Sequence, residues 1–148
     1  MNWKQLLASH DAQRHVTTKP ELEGMRELIA RDLADANLVE LSADRQFATA
    51  YNAALITANM AIACTGYRIT ARSGHHRLSL EAARLALGTS GEKLLDYFEI
   101  CRRKRNRIDY TQSNVATQTE ATEIVAKAAE FYELVETWIA THHAALKR

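Results

Sequence analysis

The residues with the most chemical potential lie in one run, Cys101-Arg102-Arg103-Lys104-Arg105-Asn106-Arg107-Ile108-Asp109-Tyr110. Five of the six residues from Arg102 to Arg107 are basic. Guanidinium groups at this density suit phosphate, which they can grip through paired N–H donors. At about 100° per residue, Leu94, Phe98, Cys101 and Ile108 form one apolar helical stripe. Arg105 falls inside that stripe, about 20° from Leu94 and from Phe98 on the helical wheel. An unpaired charge in an apolar core costs several kcal/mol. Arg105 must therefore pair with a buried carboxylate or carbonyls, snorkel out at the end of a bundle, or face a cleft or subunit interface where an anion binds.

A second basic segment, Tyr67 to Arg77, carries Arg68, Arg72, His75, His76 and Arg77, with Gly66 before it and Gly74 within it, and reads as a loop. The chain as a whole has 19 basic and 18 acidic residues and a net charge of +1. Two basic clusters in a near-neutral protein imply a polarised surface suited to phosphate or nucleic acid, not a polycation. Candidate ligand contacts are Arg102, Arg103 and Arg107 from the first cluster, and Arg68, Arg72, His75 and His76 from the second. As an ordinary feature, basic residues at a helix end form a solvated face that complements the helix dipole.

The elements that must position these residues are helical. Alanine and leucine are abundant, Pro20 is the only proline, and no stretch alternates with period two. A short helix is expected over Asn2–Val16, with Trp3, Leu6, Leu7 and His10 inward. Thr18 should cap the next, to about Glu40, with Leu22, Met25, Ile29, Leu33 and Ala36 as its stripe. Ser42 should cap an alanine-rich central helix over Ala43–Thr65, ended by Gly66. Asn52 and Asn59 lie on one side of it, either satisfied by each other or a neighbouring backbone, or facing a functional site. Ser79 should cap a short helix, Leu80–Leu87, and Ser90 the helix Glu92–Tyr110 that holds the basic run. Thr117 and Glu120 match a capping box opening the last helix, which extends to about Ala145 along Ile124, Ala128, Phe131, Val135 and Trp138. The expected fold is all-α: an antiparallel up-and-down bundle of about four long helices with one or two short ones, in one domain over residues 1–148.

Arg105-Asn106-Arg107-Ile108-Asp109-Tyr110, on the penultimate helix of a small all-helical protein, resembles the signature of the HEPN superfamily (higher eukaryotes and prokaryotes nucleotide-binding). Its active members are metal-independent ribonucleases of toxin and defence systems, and commonly homodimers. The family motif is arginine, often followed by asparagine, with histidine four to six residues after the arginine. Arg105 and Asn106 match its first positions, and Tyr110 stands where histidine is expected. The resemblance implies Arg105, Asn106 and Tyr110 as the central residues. It implies a nucleotide- or RNA-binding homodimer, catalytically weak or inactive, in a toxin–antitoxin or defence-type pair. Some members partner a nucleotidyltransferase, which makes Tyr110 a candidate modified residue by analogy. Two other functions stay open on the residues. One is a helical interaction module of antitoxin or adaptor type; the other is an active ribonuclease using Tyr110, His75 or His76.

Other chemistries have weaker signals. His75-His76 and His142-His143 are adjacent pairs, which diverge on a helix, and there is no HExxH or CxxC, so neither a metal nor another cofactor is expected. Cys64 and Cys101 read as buried free thiols of a reducing compartment. There is no signal-peptide pattern and no run of about 18 uninterrupted apolar residues, so a cytoplasmic protein without membrane contact is expected.

Overall fold

The computed structural model describes residues 1–72, 74–110 and 112–148, with 109 and 110 described as helical backbone alone. The chain is all-α apart from one two-stranded ribbon. In order, the elements are α1 Trp3–Ala8, β1 Ala12–Arg14, α2 Lys19–Ala36, α3 Ala43–Cys64, β2 Tyr67–Ile69, α4 His75–Leu87, α5 Glu92–Tyr110 and α6 Gln118–His142.

Helix starts follow their capping chemistry. Thr18 Oγ1 accepts from Glu21 N, and Pro20 sits in the first turn of α2, where its missing N–H has no intrahelical partner. Ser42 Oγ accepts from Arg45 N to open α3. Thr117 Oγ1 accepts from Glu120 N at 3.0 Å while Glu120 Oε1 accepts from Thr117 N at 2.9 Å, a complete capping box. Gly66 ends α3 with a left-handed φ of 96°.

The N-terminal helix is shorter than expected. It stops at Ala8, His10 takes a φ of 62° and is exposed, and Ser9 Oγ donates to Asp11 Oδ2 at 2.7 Å. The chain then leaves as β1, which pairs antiparallel with β2 in the register Ala12↔Ile69, Gln13↔Arg68, Arg14↔Tyr67. Strands of three residues are too short to show a period-two pattern. Tertiary contacts fix them: Trp3 stacks on Tyr67 with ring centroids 4.2 Å apart, and Ala12 is buried. The segment from Tyr67 to Arg77 is thus part strand and part helix rather than a loop. α4 begins at His75, so Ser79 lies inside it, 2% exposed, and does not cap it. Ser90 also does not cap α5. Its hydroxyl donates to Leu87 O within a 3-10 turn, Gly88–Gly91, that runs directly into α5.

α3 is the central helix, packed against α2, α4, α5 and α6. Its alanines 50, 53, 54, 58 and 61 are buried, and their small side chains let the surrounding helices close on it. By length and composition α3 is long and apolar enough to cross a membrane, although it holds no uninterrupted apolar run of about 18 residues. Most of it is buried inside this fold, as befits a core helix. α6 lays Ile124, Ala128, Phe131, Val135 and Ile139 into the same core, with Ile139 rather than half-buried Trp138 completing the stripe.

Two buried polar groups tie the helices together. Asn52 Nδ2 donates to Asp32 Oδ2 at 2.6 Å, joining α3 to α2. Arg26, 6% exposed between Leu22 and Ile29 on the apolar stripe of α2, donates from Nε and Nη2 to the Glu136 carboxylate at 2.7 and 2.9 Å. Its Nη1 reaches Glu23 and its Nη2 the Leu146 carbonyl, while Tyr132 OH donates to Glu136 at 2.6 Å. This bidentate pair joins α2 to α6 and holds the C-terminal 3-10 turn, Ala144–Leu146, against them.

Candidate anion-binding site

α5 carries the arginine-rich run, and its phase is set by Leu94, Leu95, Phe98 and Cys101, all buried. That phase aims Arg102, Arg105 and Asn106 toward the beginning of α4. There, Gly74, His75, His76 and Arg77 close the other side of a cavity of about 360 Å³. Two basic segments far apart in sequence therefore meet at one place. No aspartate or glutamate lines the cavity among the described residues.

The β ribbon explains how α4 is brought there. Thr70 N donates to Asp11 O at 2.9 Å, Thr70 Oγ1 to His10 O, and Arg72 Nη1 to Ser9 O. These bonds pin the chain just before α4. Gly74, with a φ of 81°, makes the turn into the helix and offers no side-chain cap. The positive end of the α4 macrodipole thus faces the cavity, an arrangement that favours an anion. His75 Nδ1 donates to Arg72 O at 2.8 Å, which leaves Nε2 as the acceptor of a neutral ring. The His75 and His76 rings meet edge to face at 4.4 Å.

Tyr51 of α3 lies behind these groups and is fully buried. The Arg105 guanidinium sits over its ring, 5.7 Å from the centroid, and the His76 ring lies 6.2 Å away. Arg105 also lines the cavity. Burial pushes the Tyr51 phenol up to about 12, with Arg105 and Arg102 opposing the shift. The hydroxyl is therefore protonated at neutral pH, and it has no hydrogen-bond partner among the described residues. The Asn106 amide makes no hydrogen bond among the described residues either. The Glu99 hydrogen bond, at 2.9 Å, raises the pKa of Arg102, and Arg77 pairs with Glu81 at 3.0 Å. Both arginines are anchored sideways while lining the cavity.

The remaining sequence candidates go elsewhere. Arg68 bonds to its cross-strand partner Gln13 and Arg72 to the end of α1, so both build the ribbon. Arg103 is exposed away from the cavity, and Arg107 donates to Gln112 Oε1 at 3.1 Å. Lys104 pairs with Glu120 of the α6 capping box. The side chain of Tyr110 lies outside the described residues. Burial pushes the Cys101 thiol up to about 11, so it is not a thiolate at neutral pH. Among the described residues, no three His, Cys, Asp or Glu side chains are grouped so that they could hold a metal.

Two features of the site were not legible in the sequence. The position of Tyr51 behind Arg105 depends on the crossing of α3 and α5, which no local pattern encodes. Arg77 follows the His75-His76 pair directly, and its contribution becomes visible once α4 is known to start at His75. Comparison with known proteins gives no match to a family model, to a curated protein or to a solved structure.

Proposed function

We propose that the chain is a HEPN-like helical protein that binds the phosphate of a nucleotide or RNA in the cavity between α4 and α5. The observation that carries this reading is the convergence of His75, His76 and Arg77 with Arg102, Arg105 and Asn106, with no carboxylate among the described lining residues. Arg105 supplies a fixed positive charge held over Tyr51, Asn106 a neutral donor, and the α4 N-terminus further positive potential. Fluorescence anisotropy with a short single-stranded RNA tests it. Arg105→Ala is expected to weaken binding at least tenfold and to flatten the salt dependence, whose slope is about −0.7 per phosphate neutralised on a single strand. Unchanged affinity in that variant removes the reading. The same reading carries a homodimer and, in a paired system, a nucleotidyltransferase partner. Light scattering on the purified protein tests the dimer.

A second reading is favoured by the two imidazoles beside Arg105. In a metal-independent ribonuclease, His76 would take the proton of an RNA 2′-hydroxyl as that oxygen attacks the adjacent phosphorus. The 5′-oxygen would leave taking a proton from water, giving a 2′,3′-cyclic phosphate. Arg105 would hold the developing negative charge. Incubation of RNA with the protein in the presence of chelator tests this: cleavage lost in His76→Ala supports it, and intact RNA with the unmodified protein excludes it.

A further inference from the structure

A second cavity, of about 370 Å³, lies on the other side of His75, between α2, α3, β2 and α4. Its volume falls within the ~300–1,000 Å³ of small-ligand pockets. Met25, Ala63 and Ile69 give it apolar walls, while Asn59, Ser79 and Glu21 bring polar groups to the same space. Two of those groups lack partners. Ser79 is 2% exposed, yet its hydroxyl makes no hydrogen bond among the described residues. The Asn59 amide, in the middle of α3, makes none either. Its neighbour two helical turns away, Asn52, donates to Asp32. Asn59 is half-buried and Ser79 buried, and both line the cavity, so both are placed to meet a ligand there. At the mouth, His15 Nε2 and Glu21 Oε1 meet at 2.7 Å.

We infer that this second cavity holds the base of the nucleotide whose phosphate sits between α4 and α5. The inference rests on the phosphate reading above. His75 is the shared wall, since it lines both cavities. A flat aromatic ring with donors and acceptors along its edge matches apolar walls that present an amide, a hydroxyl and a carboxylate beside the Arg68 guanidinium and the His15 and His75 imidazoles. An amide can bond bidentately to a base edge, offering one donor and one acceptor together. Besides Arg68, this cavity offers an amide and a hydroxyl that can discriminate between bases.

The test is calorimetric titration of the full chain with inorganic phosphate, ribose 5-phosphate and each of the four common nucleoside 5′-monophosphates. At least one nucleotide is expected to bind tenfold or more tightly than ribose 5-phosphate. Asn59→Leu should bring that nucleotide to the level of ribose 5-phosphate and leave inorganic phosphate unaffected. Ser79→Ala, which removes a single atom, should weaken the same nucleotide severalfold and guards against misfolding of the first variant. The inference is overturned if no nucleotide exceeds ribose 5-phosphate, or if both variants keep the original preference. If inorganic phosphate does not bind but a free nucleoside binds in an Asn59-dependent way, the phosphate reading falls and the base cavity stands. If phosphate binds through Arg105 and no base preference exists, the phosphate reading stands and the base cavity falls.

Discussion

Arg26 and Arg105 present the same anomaly in different surroundings. Each sits on the apolar stripe of a long helix, Arg26 between Leu22 and Ile29, Arg105 between Cys101 and Ile108. Arg26 is 6% exposed and is consumed by Glu136, Glu23 and the Leu146 carbonyl. Arg105 is half-buried, lies over the face of Tyr51 and opens onto a cavity shared with His75 and His76. A bidentate carboxylate satisfies the guanidinium geometry inside the fold and leaves nothing to offer a ligand. At Arg105 an aromatic face supports the cation at the edge of a cavity. An arginine on an apolar stripe is thus a flag for a desolvated charge, and the neighbouring helix decides whether that charge is structural or functional.

The largest effect that would separate the two is on stability. Glu136→Ala leaves Arg26 buried without its main partner, and urea unfolding should show a loss of about 3–5 kcal/mol. Binding of phosphate or RNA to the fraction that stays folded should be unchanged, because Glu136 lies on the α2–α6 side. Weakened binding there would break the division between the two sites. Arg105→Ala should do the reverse. The lost cation–π contact with Tyr51 amounts to about 0.5–1 kcal/mol, while RNA affinity should drop tenfold or more. A loss of stability as large as that of Glu136→Ala would mean that Arg105 is a structural residue after all.

The sequence made one of these arginines conspicuous and hid the other. Arg105 stood out because its neighbours are also basic and because Asn106 follows it. Arg26 is flanked by Met25 and Glu27, so nothing around it draws notice, and its partner is 110 positions further along the chain. Helices were readable wherever caps and long stripes specify them locally, as at Thr18, Ser42 and Thr117. The β ribbon was not, since three-residue strands depend on the Trp3–Tyr67 stack and on pairing across the fold. Missing the ribbon also misplaced the start of α4. This concealed that His75 and His76 stand at a helix N-terminus facing Arg105. Arg68 and Arg72 were placed in one loop for the same reason; their bonds to Gln13 and Ser9 fasten the ribbon, and Arg68 also lines the second cavity. The two asparagines of α3 were equivalent by spacing and differ because only Asn52 meets an aspartate on α2.

Smaller effects sharpen the comparison within the basic run itself. Tyr51→Phe removes a buried hydroxyl that has no partner among the described residues, so stability should hold or rise by about 1 kcal/mol. Calorimetric melting would show this, and a clear loss of stability would mean that the hydroxyl is engaged within the fold. Lys104, one residue before Arg105, belongs to the structural class. Its hydrogen bond, followed by that of Thr117 N, holds the Glu120 carboxyl below the ordinary value of 4.5. A carboxyl with a folded pKa below its unfolded one contributes stability that is present above about pH 4.5 and is lost as pH falls through the folded value. Lys104→Ala should therefore cost under about 1 kcal/mol at neutral pH, for a half-buried pair that solvent still screens. The difference from the unmodified protein should shrink as pH is lowered below 4.5. A deficit that persists undiminished at pH 3 would show that the pair is not its source.

The central claim is that α4 and α5 together form an anion site, while the Arg26 network does not. Titration of inorganic phosphate into isotope-labelled protein, followed by amide NMR shifts, tests it most directly. The account predicts saturable shifts concentrated at residues 74–77 and 102–106, absent from the same protein carrying Arg105→Ala. Shifts that are non-saturable, that spread evenly over the surface lysines and arginines, or that centre on Arg26 and the C-terminal turn would contradict it.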